Sequence, residues 1–565
     1  MGHERMLSTG KKKPWRVKID RVTKRLPSFI TALSLAALCS GCSDSDSAPP
    51  KESIRVFVLD SNSSGCIEKL DNLLNLSVVS TDVNTLKAEY KAGFVYGHLL
   101  KNQIIFARDN AWDSAYIADP SHSFPKQIPP SEEELDETEA LLKENYAYTI
   151  DYTQRLLDRT IQGYMQRLIF RMLGVYHGVI LDNPDALDFS GDWFPSLDYF
   201  SSSELILNYE TEAFSFMDLY FINAQIDLFG YLLPPQEQYH YSRCTAFVKK
   251  VDGDIFMAHN SWSSFLGLSM AGSFYVNGSF CALNLAAPGF IRSGQDFGFN
   301  NNGIMFLETT IDNTVNHPKV DALWEMWRSA LAGIFSGSMD EFYTYLTLEY
   351  SGTYMNSYMI ADTNTGEIGL VEMSWDTAVY FKPNQEGGYH VITTPDVGVS
   401  KEYDPLMLQP DYILGFNYGV SLAIRDQLKS INNRPAREWQ LLAQIYNVTD
   451  IDIAKDLITF TDPYNPLSIY GRWDLGYGWT TTPKTVPEGS IDAKTAAASM
   501  LANLSDLKGV LNIDSENTSF WMKYGTPIVK GKPFIWSESQ WHTQKLRDIP
   551  DVMDGDYHLL KTRID

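Results

Sequence analysis

The sequence predicts a layered α+β protein whose N-terminal portion is mostly helical. Residues 85–232 consist mainly of helix formers, and their apolar positions recur at helical spacing. From about Tyr239 the pattern changes to short apolar runs separated by the turn dipeptides Asp252-Gly253 and Asn277-Gly278. Two helical segments and further strand-like runs follow. This order of sheet, helices and more sheet is typical of an α+β domain.

The helical region contains recognisable helix starts. Residues 81–84 precede a helical pattern that runs to Leu99. Ser131, followed by three Glu residues, is typical of a capped and acidic first turn. We expect helices from there to about Leu181, and again from Ser202 to Phe229.

The strands are predicted from apolar runs on either side of turns. The first hairpin pairs residues 244–250 with 255–262, and the second pairs 273–276 with 279–283. The elements expected after them are a strand at Gly303–Thr310, helices at Ala322–Phe335 and Met339–Tyr350, and strands at Tyr358–Asp362 and Gly366–Met373.

The first 41 residues have the features of an export signal: a basic stretch, a short apolar run and small residues. The run Phe29–Leu38 is too short to span a bilayer. Gly41-Cys42 resembles the cleavage and lipidation point of a bacterial lipoprotein; an ordinary secretory signal with an incidental cysteine is the alternative. We expect residues 42–52 to be a flexible tether, with membrane contact through lipid on Cys42 and not through a transmembrane span. The predicted location is extracytoplasmic, either as a lipoprotein of the periplasm or outer membrane or as a secreted protein.

Composition and charge exclude several classes of protein. The 565 residues are 44% hydrophobic and 21% charged, which is typical of a packed globular protein and not of a disordered one. From Cys42 onwards there are 37 basic and 68 acidic residues, so nucleic-acid binding is not expected. A serine-hydrolase elbow, a phosphate-binding loop and a zinc-protease helix motif are all absent. The ten histidines are scattered singly, so we predict no metal and no cofactor.

The cysteine count points to an unpaired thiol. Without the signal, Cys42, Cys66, Cys244 and Cys281 remain, and acylation of Cys42 leaves an odd number in an oxidising compartment. A disulfide between Cys66 and Cys281 would leave Cys244, but the sequence does not establish that pairing.

The first predicted hairpin brings a cysteine and a histidine together. With Asp252-Gly253 at the turn, His259 lies opposite Ala246, two residues after Cys244. Residues two apart on a strand share a face, so Cys244 and His259 are diagonal neighbours, with backbones roughly 5–8 Å apart. The residues on the opposite face are Thr245 and Asn260.

Several motifs resemble those of the phospholipase B-like proteins, also called the laminin ancestor family. In chain order they are Arg243-Cys244-Thr-Ala-Phe-Val-Lys, Ala258-His259-Asn260-Ser261-Trp262, Pro288-Gly289-Phe290, Asp296-Phe297, Glu308-Thr309-Thr310, Ser351-Gly352-Thr353-Tyr354-Met355-Asn356, Arg472-Trp473-Asp474-Leu475 and Asp492-Ala493-Lys494. The resemblance is strongest over residues 243–375 and patchy from 376 to 545.

The resemblance implies the fold of N-terminal nucleophile hydrolases, a four-layer αββα sandwich, and cleavage of the chain by itself between Arg243 and Cys244. A helical N-terminal fragment, residues 53–243, would then stay associated with a catalytic fragment, residues 244–565. Cleavage suits a cysteine, because the freed α-amine has a pKa of about 8 and the thiol one of about 8.5, so the amine can accept the thiol proton.

The resemblance also implies residue roles. Cys244 is the nucleophile, His259 orients or assists it, and Asn356 donates its amide to the tetrahedral oxyanion. Thr309 and Trp262 line the pocket, and Arg472 clamps a substrate carbonyl or anionic head group. For these residues the structural alternatives are strand packing for Thr309, core packing for Trp262, a turn role for Asn356, and a salt bridge to Asp474 for Arg472.

The predicted function is a self-processing cysteine hydrolase that removes acyl chains from phospholipids or related lipids. Two alternatives remain open at this point. One is an amidase of the same mechanistic class acting on N-acyl amides, and the other is a lipid-binding or scaffold lipoprotein without turnover.

Overall fold

The structure is a computed structural model. The described residues are 53–117, 130–183, 194–232, 244–264, 268–311, 317–395, 398–428, 435–462, 469–470, 488–501, 520–525, 534–539, 541–553 and 555–562. The predicted export signal and tether, including Cys42, lie outside these residues. Within them the protein has a mixed α+β fold, as the sequence predicts.

The helices lie in three stretches of the chain. They are α1 (Thr85–Leu99), α2 (Lys101–Ile117), α3 (Glu132–Arg155), α4 (Arg159–Ile180), α5 (Phe216–Leu232), α6 (Glu325–Phe335), α7 (Met339–Leu346), α8 (Leu422–Leu428), α9 (Pro435–Gln444) and α10 (Ile451–Ile458). The predicted capping box is present, with Ser131 Oγ accepting from Glu134 N and the Glu134 carboxylate accepting from Ser131 N.

One helix prediction is wrong in its bounds. Residues 202–204 form only a short 3₁₀ turn, and the predicted helix from Ser202 begins in fact at Phe216. The cause is a second reciprocal cap: Asp218 N donates to Ser215 Oγ, and Ser215 N donates to the Asp218 carboxylate.

The strands form two large sheets and one small pair. They are β1 (Ser53–Asp60), β2 (Ser63–Leu70), β3 (Leu73–Ser80), β4 (Thr245–Val251), β5 (Asp254–Ser264), β6 (Met270–Val276), β7 (Ser279–Leu285), β8 (Phe297–Asn300), β9 (Ile304–Thr310), β10 (Asn356–Asp362), β11 (Glu367–Met373), β12 (Ala378–Pro383), β13 (Tyr389–Thr394), β14 (Leu408–Gln409), β15 (Tyr412–Gly415), β16 (Glu488–Ala497), β17 (Phe520–Tyr524), β18 (Phe534–Ile535), β19 (Val552–Met553) and β20 (His558–Leu560). The first sheet has the order β1-β2-β3-β6-β7-β8-β9-β10-β11-β12-β13, and the second has the order β14-β15-β4-β5-β16-β17-β20.

The strands that were not predicted include β1, β2 and β3. Residues 53–80 belong to the segment expected to be a helical N-terminal fragment, but they form the antiparallel meander β1-β2-β3. β3 then pairs in parallel with β6, so the segments before and after Cys244 share the first sheet. The β2–β3 turn was missed because it is formed by Asp71-Asn72, with Asp71 at a φ of 49°, and contains no glycine.

Each face of the first sheet contributes to a different apolar core. Along β6, Phe274 and Val276 belong to a core with α1–α7, whereas Tyr275 belongs to a second core shared with the second sheet and α8–α10. Strands β9 and β10 are buried on both faces, and each contains a run of four consecutive apolar residues.

Helices α1 and α4 pack at glycines. A Cβ at Gly93 or Gly97 would lie 2.1 Å from a carbonyl oxygen of α4, and one at Gly174 or Gly178 would lie 2.0 or 2.2 Å from a carbonyl oxygen of α1. The two helix backbones are therefore in direct contact, and no side chain fits between them.

We predict that Gly174→Ala destabilises the fold by about 3 kcal/mol or more, because the new methyl group would force the two backbones apart. Gly163→Ala, in the same helix, is the matched control: no atom lies within 4 Å of its added Cβ. It should be stabilising by up to about 1 kcal/mol, from helix propensity. Urea unfolding measures both; an equal effect of the two substitutions would contradict the close contact.

The Asp218 carboxylate is buried near the Arg108 guanidinium, 3.7 Å away. Burial raises the pKa of Asp218 to about 6, although Arg108 and hydrogen bonds from Asn208 and Ser215 lower it in part. Because this value lies above that of the unfolded chain, the folded state binds the proton more tightly, and its stability falls as pH rises from 4 to 7.

The asparagine side chain in Asp218→Asn cannot ionise, so the stability of this variant should not show the pH dependence that Asp218 causes. We expect the difference in free energy of unfolding, variant minus wild type, to increase by about 1–3 kcal/mol between pH 4 and pH 7. Thermal unfolding at several pH values checks this, with Asp321→Asn at an exposed aspartate as the control. A pH-independent difference would show that Asp218 does not titrate in this range.

Candidate active site

The β4–β5 hairpin places Cys244 beside His259. Asp252 and Gly253 form the turn with φ values of 49° and 88°, and Ala246 lies opposite His259. The Cys244 Sγ, a His259 ring nitrogen and an Asp296 carboxylate oxygen all lie within 4.8 Å of one another. The predicted proximity of Cys244 and His259 is confirmed, and both residues are buried.

The opposite face of the hairpin is fixed by Asn260. Its Oδ1 accepts from Thr245 N at 3.2 Å, and its Nδ2 donates to the carbonyls of Ile458 and Ile469 at 2.9 Å each. Thr245 and Asn260 therefore point away from Cys244 and His259, as the register predicts. These bonds hold the start of β4 in place.

The carbonyl oxygen of Cys244 is held by a buried arginine that carries no local sequence signal. Arg437 Nη1, from α9, donates to Cys244 O at 2.6 Å and to Thr245 Oγ1 at 2.7 Å. Its Nη2 donates to Phe416 O at 3.3 Å. The backbone of Cys244 is thus fixed independently of whatever precedes it in the chain.

Two carboxyl groups lie next to the thiol. Glu308 N donates to Asp296 O at 3.0 Å, and Tyr354 Oη donates to Glu308 Oε2 at 3.2 Å. Burial, and then the nearby Asp296 and Cys244, raise the pKa of Glu308 well above its ordinary value. Burial likewise raises the pKa of Asp296 to about 6, partly offset by Lys494. At neutral pH, the pair therefore retains a proton on Glu308.

A buried ion pair lies beside His259 on the neighbouring strand. Lys494 lies opposite His259 in the β5–β16 pairing, and its Nζ donates to Asp492 Oδ1 at 2.6 Å and to Ser261 Oγ at 2.8 Å. Burial, followed by the Lys494 charge, holds the pKa of His259 well below its ordinary value, and a polar contact with the Glu308 backbone opposes this in part. The imidazole is therefore neutral at pH 7 and binds a proton only weakly.

Two other predicted site residues, Thr309 and Asn356, are described, and their contacts are with residues other than Cys244. Thr309, on β9, faces the second sheet, because a Cβ at Gly415 would lie 3.0 Å from its Oγ1. Asn356 is buried at the start of β10, with Nδ2 3.3 Å from Glu325 Oε1. This hydrogen bond joins Asn356 to Glu325 and not to Cys244, so the oxyanion role of Asn356 stays a prediction.

Other predicted residues are not described. Arg243 and Arg472 lie outside the described residues, as does the side chain of Trp262, whose backbone belongs to β5. Their predicted roles in cleavage and substrate binding remain predictions.

The remaining thiols differ from Cys244. Cys66, Cys244 and Cys281 form no disulfide bond in the part of the chain that the structure describes. Burial raises the pKa of Cys281 to about 11, despite the nearby Arg171 guanidinium. Cys281 is thus a poor nucleophile.

The arrangement combines a thiol, a neutral imidazole and a carboxyl pair in one buried cluster. A thiol needs a base to become the nucleophilic thiolate, and burial leaves the neighbouring imidazole only a weak one. The chemistry that this cluster can perform is nucleophilic attack by sulfur with proton transfer close by.

Comparison with known proteins identifies the family. The model of the phospholipase B family matches residues 72–373, which is more than half of the chain and includes Cys244, His259 and Asp296. The chain belongs to the phospholipase B family. Arg437, Asp492 and Lys494 lie beyond the matched residues.

Three curated relatives are distant. Phospholipase B of Crotalus adamanteus is 24% identical over 356 residues, and Phospholipase-B 81 of Drysdalia coronoides is 24% identical over 358 residues; each alignment covers 57% of this chain and 59% of the relative. Phospholipase B-like 1 of Rattus norvegicus is 25% identical over 178 residues, which cover 27% of this chain and 32% of the rat protein. The chain thus spans less than two thirds of the length of each relative.

We predict that Asp492→Ala costs about 3–5 kcal/mol, because it leaves the Lys494 charge buried without its carboxylate. The double variant Asp492→Ala/Lys494→Met removes both charges and should recover part of that loss. Urea unfolding of the two variants measures the difference. Equal destabilisation of single and double variants would contradict a charged pair.

Proposed function

We propose that the protein is a self-processing cysteine hydrolase that removes acyl chains from phospholipids or related lipids through an acyl-enzyme on Cys244. The observation that carries this proposal is the convergence of the Cys244 Sγ, the His259 imidazole and the Asp296 carboxylate within 4.8 Å in a buried site. Membership of the phospholipase B family and the names of its relatives support a lipid substrate.

The proposal includes the αββα arrangement of N-terminal nucleophile hydrolases. Helices α1–α7 share a core with one face of the first sheet, and the second sheet shares a core with the other face. Asn260, on the face of the second sheet turned away from His259, bonds to the end of α10. These contacts support helices outside two stacked sheets.

Cleavage between Arg243 and Cys244 completes the nucleophile. β4 begins at Thr245, so the cut would fall directly before the second sheet's first strand in chain order. Arg437 holds the Cys244 carbonyl on the retained side of the cut. The freed α-amine then lies on the same residue as the thiol, where it accepts the thiol proton.

In the proposed reaction, the thiolate attacks the acyl carbonyl carbon and a tetrahedral oxyanion forms. The oxyanion collapses, the bond to the leaving alcohol breaks, and the amine returns its proton to that alcohol. Water then attacks the thioester, and the fatty acid and the thiol are released. His259 orients the sulfur, and Asn356 donates to the oxyanion.

The pocket roles and the location complete the proposal. Thr309 and Trp262 line the pocket, and Arg472 binds the substrate carbonyl or anionic head group. The two fragments stay associated, and the protein works outside the cytoplasm, held to a membrane by lipid on Cys42 or secreted. Among the described residues, no helix combines the length and the apolar character needed to cross a membrane.

We predict that purified protein contains a fragment that begins at Cys244, and that Cys244→Ala is uncut and inactive. Intact-mass measurement identifies the fragment, and fatty acid release from phosphatidylcholine measures activity. Cys281→Ala, at the other buried strand thiol, should be cut and active.

Three outcomes would overturn or redirect the proposal. An uncut chain with an unmodified Cys244 and no fatty acid release would indicate a lipid-binding or scaffold protein. Faster release from an N-acyl amino acid than from phosphatidylcholine would indicate an amidase. Full turnover after alkylation of the processed thiol would remove Cys244 from the mechanism.

A further inference from the structure

The side chains proposed to carry out hydrolysis also include three atoms that can bind a metal ion. Cys244 and His259 are buried, Asp296 is partly exposed, and one donor atom from each lies within 4.8 Å of the others. Sulfur, nitrogen and carboxylate oxygen together are ligands that zinc accepts, whereas magnesium and calcium prefer oxygen alone.

A second observation points independently to a ligand. His259 is fully buried, and apart from a polar contact with the Glu308 backbone neither of its ring nitrogens meets the geometry of a hydrogen bond to the described residues. Buried polar atoms are normally paired, because an unpaired one costs about 1–3 kcal/mol. An imidazole nitrogen with a free lone pair beside a thiol and a carboxylate is a natural metal ligand.

We propose that Cys244, His259 and Asp296 bind a thiophilic divalent cation of the Zn²⁺ type, and that this binding reversibly inhibits the hydrolase. The inhibitory consequence rests on the proposed function; the binding itself does not. The metal would occupy the sulfur that attacks the substrate.

The geometry needs only a small adjustment. A tetrahedral zinc ion with ordinary bond lengths separates its ligands by about 3.3–3.6 Å. The donor atoms here are within 4.8 Å of one another, so each pair would close by no more than about 1.5 Å. Cys244 loses its thiol proton to solvent on binding, and no oxidant or reductant is involved.

The surrounding charges leave room for the cation. Two positive groups act on the ligands: Lys494, which faces His259, is paired with Asp492, and the Arg292 guanidinium acts on Asp296. Glu308, beside Asp296, is protonated at neutral pH and so adds a neutral carboxyl group. Two anionic ligands and one neutral one balance the charge of a divalent ion.

Cleavage before Cys244 would add a fourth ligand. The freed α-amine and the thiol of one cysteine form a five-membered ring with a bound metal. The processed protein then offers two nitrogens, one sulfur and one oxygen, which completes a tetrahedral set. This step rests on the proposed processing.

The test uses Co²⁺ as a spectroscopic probe and Zn²⁺ as the competitor, on the purified full chain. We expect one equivalent of Co²⁺ to give tetrahedral d–d bands and a thiolate-to-cobalt charge-transfer band, both abolished by Zn²⁺. Cys244→Ser should lose the charge-transfer band, and the matched control Cys281→Ala should keep it. Asp296→Asn, checked for folding by thermal unfolding, should weaken Zn²⁺ binding at least ten-fold in competition with a chromogenic chelator.

Absence of the charge-transfer band in the wild type, or its survival in Cys244→Ser, would overturn the inference even if Asp296→Asn did not fold. A chain that hydrolyses lipid but binds no Zn²⁺ overturns this inference alone. A chain that binds Zn²⁺ through these residues but hydrolyses nothing overturns only the proposed function and with it the inhibition. Where both hold, Zn²⁺ should suppress fatty acid release, and a chelator should restore it.

Discussion

The two-residue turn at Asp252 and Gly253 fixes the register of β4 and β5, and that register decides which side chains share the buried face. Both turn residues have left-handed φ values, which match the twist of the paired strands. A slip of one residue would turn His259 towards α10 and bring Asn260 to Cys244. The bonds from Asn260 to the carbonyls of Ile458 and Ile469 oppose that slip from the far side.

The electrostatics around this hairpin follow from burial. Two carboxyl groups near His259 are kept partly protonated, and Lys494, whose charge lowers the pKa of both His259 and Asp296, is paired with Asp492. The imidazole stays uncharged, since desolvation opposes its protonation. At neutral pH, the uncharged imidazole of His259 thus lies within a few ångströms of a carboxyl pair, Asp296 and Glu308, that retains one proton. Structural ion pairs and reactive groups are therefore parts of one network here.

Local sequence signals predicted the hairpins at residues 252–253 and 277–278, the Ser131 cap and the proximity of Cys244 to His259, because each depends on residues close in the chain. Asp296 and Glu308 were visible only as motif residues, and their meeting with Cys244 depends on how the two sheets stack. Arg437 carries no local signal, since its partner lies 193 positions away in the sequence. The meander at residues 53–80 was missed because its turn chemistry lacks glycine.

The parallel pairing of β3 with β6 has a consequence for the lifetime of a processed chain. β3 is an interior strand, bonded to β2 on one side and to β6 on the other, so a cut between them severs the backbone but not the sheet. Folding of the intact chain is a one-molecule reaction. Refolding of a cut chain would require two molecules to meet, so its yield would depend on concentration. At low concentration, a processed protein that unfolds would therefore not refold.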